Sequence, residues 1–342
     1  MNTRSRDFRS GSVIVRAPNH LGDLVMALPA LRATGGADVM VVRGLIPILE
    51  MAGLPGRILP LDRDTGGFWR AARTLRAAPY ELGILLPPSL SSALLFTAGR
   101  VGTRRGTPAN GRRLLLHDVV ALGATTRTHR CSAYYLVVTG SAPDEIPIPT
   151  VSVPDEALAR FRSLAGPLQG AVIGLFPGSN APSRRWDADR YASLARRLVR
   201  EGARVFVFGG PAEQRLTASV AGEVAVDLGG RTDLPLLAAG LASCRVVVTN
   251  DSGPMHLAAA VGTPTLSLQG PADPAVTRPL GAGHRMLRHP ELPCVPCVKN
   301  ECPRSGRGYV LPDATRECLR LITVDDAVAA LREHDSSALS LH

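Results

Sequence analysis

Apolar residues along this chain fall into short runs separated by longer stretches of helical spacing. Ser12–Arg16, Asp38–Val42, Arg57–Pro60 and Leu82–Leu86 are runs rich in Val, Ile and Leu, the pattern of strands buried on both faces. Between and after them, Leu24–Thr34, Phe68–Ala77 and Ser89–Ala98 read as helices. Arg100–Gly102 reads as one more short strand, and the Arg/Gly-rich stretch Thr103–Gly111 as a loop. After the proline-rich passage Ser141–Val153 comes a helix, Pro154–Leu164, with Asp155 and Glu156 in its first turn where the helix dipole favours them. The alternation then restarts. Strands are expected at Ala171–Leu175, Arg204–Phe208, Arg245–Thr249 and Thr265–Leu268, and helices at Asp187–Glu201, from Ala212, at Leu234–Ala242 and at Pro254–Val261. The boundary falls near Gly166–Gly170, and a last helix lies near Val324–Glu333. Two successive series of strands and helices predict an α/β protein with two parallel-sheet halves.

In parallel α/β sheets, ligands meet the protein beyond the carboxyl ends of the strands. Four turns at such places carry chemistry. The first, Asn19-His20-Leu21-Gly22-Asp23, offers Asp23 either as a helix cap or as a carboxylate able to take a proton from a hydroxyl. The second runs from Pro177-Gly178-Ser179 to Ser183-Arg184-Arg185-Trp186. It reads as a close backbone approach with paired arginines for phosphate, or as a solvated basic loop. In the third, Gly209-Gly210-Pro211-Ala212-Glu213, the Glu213 carboxylate accepts from a ribose or complements a helix dipole. Neither a dinucleotide fingerprint nor a P-loop is present. The fourth, Asn250-Asp251-Ser252-Gly253-Pro254-Met255-His256, opens a helix with Pro254 in its first turn. Free N–H groups there, with Ser252 and Gly253, would meet an anion, and His256 sits one turn in. The alternative is a capping turn with a core histidine.

The length of 342 residues suits two domains. A net charge of +10 comes from 39 basic and 29 acidic residues, and Lys299 is the only lysine. Such a balance favours anionic partners: phosphates, nucleic acid or an anionic membrane surface. Aromatics at 4% and the absence of a reader motif weigh against nucleic acid. Apolar runs such as Val246–Val248 and Leu257–Val261 fall far short of the roughly 20 residues that cross a bilayer. Met1–Ser12 is polar and basic without an apolar stretch, so it reads as a flexible arm and not as a secretory signal. A cytoplasmic setting follows, where thiols stay reduced. Cys294, Cys297, Cys302 and Cys318 then have three readings: a tetrahedral structural zinc site, a set of packed thiols, or redox-labile pairs. Cys131 and Cys244 read as buried thiols.

Taken together, these segments resemble the ADP-heptose:lipopolysaccharide heptosyltransferases, glycosyltransferase family 9. The likeness runs through Val13-Ile14-Val15-Arg16, Gly22-Asp23-Leu24-Val25-Met26-Ala27-Leu28-Pro29-Ala30-Leu31, Arg184-Arg185-Trp186 and Gly209-Gly210-Pro211-Ala212-Glu213. It continues through Thr249-Asn250-Asp251-Ser252-Gly253-Pro254-Met255-His256-Leu257-Ala258-Ala259-Ala260 to Gly270-Pro271-Ala272-Asp273-Pro274, and the cysteine tail is similar to that of a subgroup. The resemblance implies a GT-B fold, two Rossmann-like βα domains facing across a cleft. The expected division is a basic arm (1–12), an acceptor-binding domain (13–166), a nucleotide-sugar-binding domain (167–322) with a Cys-rich insertion (292–318), and a C-terminal helix (323–334). The first domain would select the acceptor through loops such as Thr103–Gly111 and Gly123–Arg130.

The activity implied is transfer of a heptose or related sugar, with inversion, from ADP-heptose to a hydroxyl of a lipopolysaccharide-core or other envelope glycan. Asp23 matches the family's general base. Arg184, where many members carry lysine, falls on the diphosphate contact and Glu213 on the ribose contact. Asp251, Ser252, Gly253 and His256 fall on the donor phosphate and sugar segment, with Pro177, Gly178 and Ser179 as a further donor loop. The family needs no cofactor for catalysis, so zinc at the cysteines would be structural. The positive charge fits peripheral contact with the inner membrane surface. An alternative is a nucleotide-sugar-binding GT-B protein with another donor, epimerase-like or non-catalytic.

Overall fold

In the computed structural model, which describes residues 12–122, 127–168, 170–305 and 316–338, the apolar runs become two six-stranded, all-parallel sheets. The first holds β1 (Val13–Arg16), β2 (Asp38–Val42), β3 (Ile58–Leu61), β4 (Leu82–Leu85), β5 (Thr103–Gly106) and β6 (Asp118–Val119), in the order β3-β2-β1-β4-β5-β6. The second holds β7 (Val172–Phe176), β8 (Arg204–Val207), β9 (Val226–Asp227), β10 (Val246–Asn250), β11 (Thr265–Leu268) and β12 (His284–Leu287), in the order β12-β11-β10-β7-β8-β9. Each is the Rossmann order, with its reversal point between β1 and β4 or between β7 and β10. Of the strands at those points, β1, β7 and β10 are buried along their whole length, which is why their sequences are largely continuous apolar runs.

The chain divides into two units, one ending at Ser152 and one beginning at Val153. The helix Asp155–Ala165, expected in the first half, belongs to the second. Its Phe161 packs edge-on to Phe206 at 5.6 Å between centroids, and Gly240 leaves room for the Phe161 and Phe208 rings. The aromatic contact therefore carries this helix, and the division falls before it and not at Gly166. At the other end, Ala327, Val328 and Leu331 of the helix Val324–Ala338 enter the same core as Tyr191, Leu194 and Leu198.

The fifth strand also departs from expectation. It occupies Thr103–Gly106, inside the stretch read as a loop, and not Arg100–Gly102. Polar residues suffice there because Arg105 pairs with Asp118 of β6 at 3.0 Å, and Arg104 donates to the carbonyls of Val101 and Leu115. The helix Arg130–Thr139 was not anticipated; the side chain of His129 caps it by accepting from the Cys131 N–H at 3.2 Å. Cys131 and Cys244 are buried, as expected, and burial pushes the Cys131 thiol up to about 12. Residues 1–11 of the expected arm, 123–126 of the expected acceptor loop and 306–315 of the Cys-rich insertion lie outside the described residues. Among the described residues no helix is long and apolar enough to cross a membrane.

Asp38 shows how the first unit is tied at its edge. Its buried carboxylate accepts from the Tyr80 hydroxyl (2.6 Å) and from the guanidinium (2.7 Å) and backbone N–H (3.0 Å) of Arg57. Burial alone would push this carboxyl up, but the Arg57 and Tyr80 hydrogen bonds outweigh it and hold the group below its ordinary value. A depressed folded pKa contributes stability above the unfolded value of about 3.9 and loses it as pH falls through the folded value. Asp38→Ala leaves the buried Tyr80 hydroxyl without an acceptor for its proton, with only the longer contact from Arg57 Nη2 (3.3 Å), while the exposed Arg57 guanidinium is rehydrated. The expected cost near neutral pH is about 1–3 kcal/mol. Urea unfolding should show the gap between variant and wild type shrinking as pH falls below about 4.

Candidate active site

In the first unit, Asp23 lies in the opening turn of the helix Leu21–Arg32, directly after the carboxyl end of β1. It is not the cap: the N-cap residue is His20. Its part-exposed carboxylate faces Arg130, with Nη1 3.6 Å from Oδ1. Arg130 opens the helix Arg130–Thr139, which packs along Leu21–Arg32. One turn later in that helix, Tyr134 is buried beside the same pair. Burial pushes its phenol up, and the Asp23 charge adds to the effect. The sequence alone does not single out Arg130 and Tyr134; the signal it carries is their i,i+4 spacing behind a capping histidine.

Arg16, the last residue of β1, is buried under this turn. Its guanidinium donates to the Asn19 side-chain oxygen and to the carbonyls of Ala17 and Met40. None of these acceptors is a carboxylate. Burial and the neighbouring Arg63 lower its pKa to about 10, so it stays cationic at neutral pH. The loop leading to Asp23 is thus pinned by a buried positive charge.

In the second unit, the predicted turns converge at the carboxyl ends of β7, β8 and β10. Asn250, the last residue of β10, is fully buried and bonds at both ends of its amide. Its Oδ1 accepts from the Trp186 backbone N–H (3.0 Å) and the Tyr191 hydroxyl (3.3 Å). Its Nδ2 donates to the Pro177 carbonyl at 2.7 Å. One side chain therefore holds the Pro177-Gly178-Ser179 loop to the segment that follows Arg184 and Arg185. Arg185 in turn donates from Nε to the Ser179 carbonyl at 2.7 Å.

Asp251 is only 2% exposed and accepts from Arg184 Nη1 at 2.8 Å. Arg184 Nε is buried without a hydrogen-bond partner among the described residues, so donor capacity remains beside that carboxylate. Ser252 is the N-cap of the helix Gly253–Ala260 and makes no side-chain cap bond. Gly253 and Pro254 begin that helix, and His256 is buried within it. Glu213 accepts from the Gly210 N–H at 2.8 Å, closing its own turn. The same carboxylate lies against Gly178, where a Cβ would come within 1.8 Å of Glu213 Oε1. Any side chain at 178 would displace the Glu213 carboxylate from this position. The structure thus gathers Gly178, Glu213, Arg184 and Asp251 around Asn250.

The four clustered cysteines line one cavity with Ser183, Arg304, Arg316 and Glu317. The tetrahedral arrangement expected for zinc is not assembled: no group of three or more His, Cys, Asp or Glu among the described residues could hold a metal ion. Two of the thiols have arginine partners. Arg304 bears on Cys294, and the Arg316 N–H donates to Cys302 at 3.3 Å. Burial and the three neighbouring thiols push Cys318 up to about 11, leaving it a neutral thiol. The segment braces the Arg184 turn, since Ser183 donates from Oγ to the Lys299 carbonyl (2.6 Å) and from its backbone to Asn300 (3.1 Å).

The sequence model of glycosyltransferase family 9 (heptosyltransferase) matches residues 68–306. Lipooligosaccharide heptosyltransferase 2 of Haemophilus influenzae is 29% identical over 307 residues, covering 81% of this chain and 88% of that protein. Lipopolysaccharide heptosyltransferase 1 of Pseudomonas aeruginosa is 31% identical over 322 residues, covering 85% and 87%. Among solved structures, ADP-heptose lipopolysaccharide heptosyltransferase II of E. coli superposes with a TM-score of 0.80 at 24% identity, covering 94% of this chain and 98% of that one. The shared fold is GT-B, built of two Rossmann-like units.

Asn250→Ala tests the convergence of the second unit. It leaves the Trp186 N–H and the Pro177 carbonyl without their buried partner. The expected loss is about 2–4 kcal/mol, read as a lower urea midpoint with an unchanged slope. An unaltered midpoint would mean that the amide holds nothing together.

Proposed function

The chain belongs to glycosyltransferase family 9 and is a glycosyltransferase, and from that premise we propose that it moves a heptose from ADP-heptose to a hydroxyl of a lipopolysaccharide-core acceptor, with inversion. The observation that carries the donor half of this reading is the Arg184–Asp251 pair at the opening of the helix Gly253–Ala260. Breaking the bond from the anomeric carbon to the diphosphate leaves the electron pair on ADP. Negative charge grows there, and a guanidinium with a helix N-terminus stabilises it more in the transition state than in the bound donor. Asp251 holds the guanidinium in place, and the uncapped N–H groups at Ser252 and Gly253 supply further donors. Glu213, beside Gly178, is the carboxylate offered to the ribose. His256 supports this segment from inside the helix.

The acceptor half rests on Asp23. As the acceptor oxygen attacks the anomeric carbon from the face opposite ADP, its proton passes to the Asp23 carboxylate. Arg130 and Tyr134 act as positioning residues for that carboxylate. Arg16 gives the same end of the sheet a positive potential, which favours an anionic acceptor such as a phosphorylated core glycan. No step calls for a metal ion, and the cysteine segment acts by bracing the Arg184 turn. The acceptor's lipid anchor places the enzyme in peripheral contact with the inner membrane surface.

Asp23→Asn keeps the shape and removes the base. Product formation from ADP-heptose and a core acceptor should fall about 10²–10⁴-fold, while ADP affinity stays within about twofold of wild type. Equal loss of both would make Asp23 structural. Donor turnover without an acceptor product in the wild type would point to epimerase-like chemistry.

A further inference from the structure

We propose that the first unit docks on an anionic bilayer surface through the 3-10 turn Arg112–Leu115 and the outer face of the helix Leu90–Ala98. The inference rests on the reading of a lipid-anchored acceptor given above, and names the surface that would meet the lipid.

Leu114 is 95% exposed, the most exposed large apolar side chain among the described residues. Leu90 and Leu94, one helical turn apart, are 42% and 44% exposed on the neighbouring helix, which packs against the turn. This exposure is built in. Arg112, next but one to Leu114, is fully buried. It donates to the carbonyls of Thr107 (2.8 Å), Leu85 (3.3 Å) and Pro87, and to the hydroxyls of Ser92 (3.2 Å) and Thr107 (3.1 Å). Asn110 donates from Nδ2 to the Pro88 carbonyl at 2.9 Å. The turn is fastened at several points, and Leu114 is held outward by that fastening.

The charge along this segment has one sign. From Pro87 to Leu116 the sequence contains Arg100, Arg104, Arg105, Arg112 and Arg113 and no aspartate or glutamate. Arg105 is compensated by Asp118. Arg112 bonds only to neutral oxygens, and the carbonyl bonds of Arg104 leave its charge uncompensated as well. A guanidinium buried among neutral acceptors projects its field outward with little screening. Exposed leucines on a segment whose charged residues are all arginine have the composition of a surface that lies on anionic lipid. The turn grips Leu85 and Pro87, at the carboxyl end of β4, and Asp23 follows the carboxyl end of the adjacent β1. A glycan anchored in the bilayer would be offered at the end of the sheet that carries Asp23.

The test is sedimentation of the full chain with vesicles of phosphatidylglycerol and phosphatidylethanolamine, against vesicles of phosphatidylcholine alone. The wild type should bind the anionic vesicles, and less so at high salt. Leu114→Gln, at a site with no packing to lose, should weaken that binding about tenfold. Its transfer rate to a lipid-free core oligosaccharide should equal that of the wild type. Equal binding to both vesicle types, or undiminished binding of Leu114→Gln, would overturn the proposal. Vesicle binding as expected in a protein that transfers nothing to the soluble oligosaccharide would leave the docking surface standing and refute the heptosyltransferase reading.

Discussion

The side-chain amide of Asn250 joins stretches of the second unit that lie far apart in sequence. It can do so because β10 delivers it, fully buried, to the reversal point of the sheet, where the loops after β7 and β10 diverge. Both halves of the amide are used, one towards Pro177 and one towards Trp186 and Tyr191. A buried amide satisfied at both ends fixes geometry far more sharply than apolar packing does. The neighbouring pieces depend on it: Gly178 is held where it touches Glu213, and Arg184 where it reaches Asp251. The cysteine segment secures the same turn from the other side through Ser183.

The first unit uses a different device at the equivalent place. Buried arginines, Arg16 at the end of β1 and Arg112 across the end of β4, hold the loops there and are satisfied by carbonyl, hydroxyl and amide oxygens. Burying such charges costs stability unless hydrogen bonds compensate, and here neutral acceptors supply the compensation while the net charge survives. One unit therefore presents an ion pair at a helix opening, suited to a diphosphate leaving group. The other presents uncompensated positive charge with one part-exposed carboxylate, suited to an anionic acceptor whose hydroxyl must lose a proton. The chemistry proposed for the protein is the sum of those two environments.

The central strands and most helices were legible because their burial on both faces writes itself as apolar runs, as in Val246–Val248. Edge elements were not. Thr103–Gly106 is held by ion pairing and carbonyl contacts of its arginines, which no hydrophobic period encodes. The helix Asp155–Ala165 was placed in the wrong half because its partners, Phe206 and Phe208, lie well beyond it in sequence. Turn chemistry marks Asp23, Gly178, Glu213 and Asp251, since each turn follows a strand end and carries a glycine, with a carboxylate in three of the four. Their supports stayed hidden: Asn250 was one letter in a motif, and Arg130 and Tyr134 reach Asp23 only because two helices pack together. Cysteine spacing left zinc, packed thiols and redox-labile pairs open, and spacing alone does not reveal the contacts of Arg304 with Cys294 and of Arg316 with Cys302.

Calorimetric titration of the intact protein with ADP, GDP, UDP and dTDP tests the central claim most directly, because it asks whether the site organised by Asn250 is a nucleoside-diphosphate site. The account predicts saturable binding of ADP in preference to the other three, weakened in Arg184→Ala, which removes the guanidinium from the leaving group. Binding of ADP that Arg184→Ala leaves unchanged, or preference for another nucleotide, would contradict it.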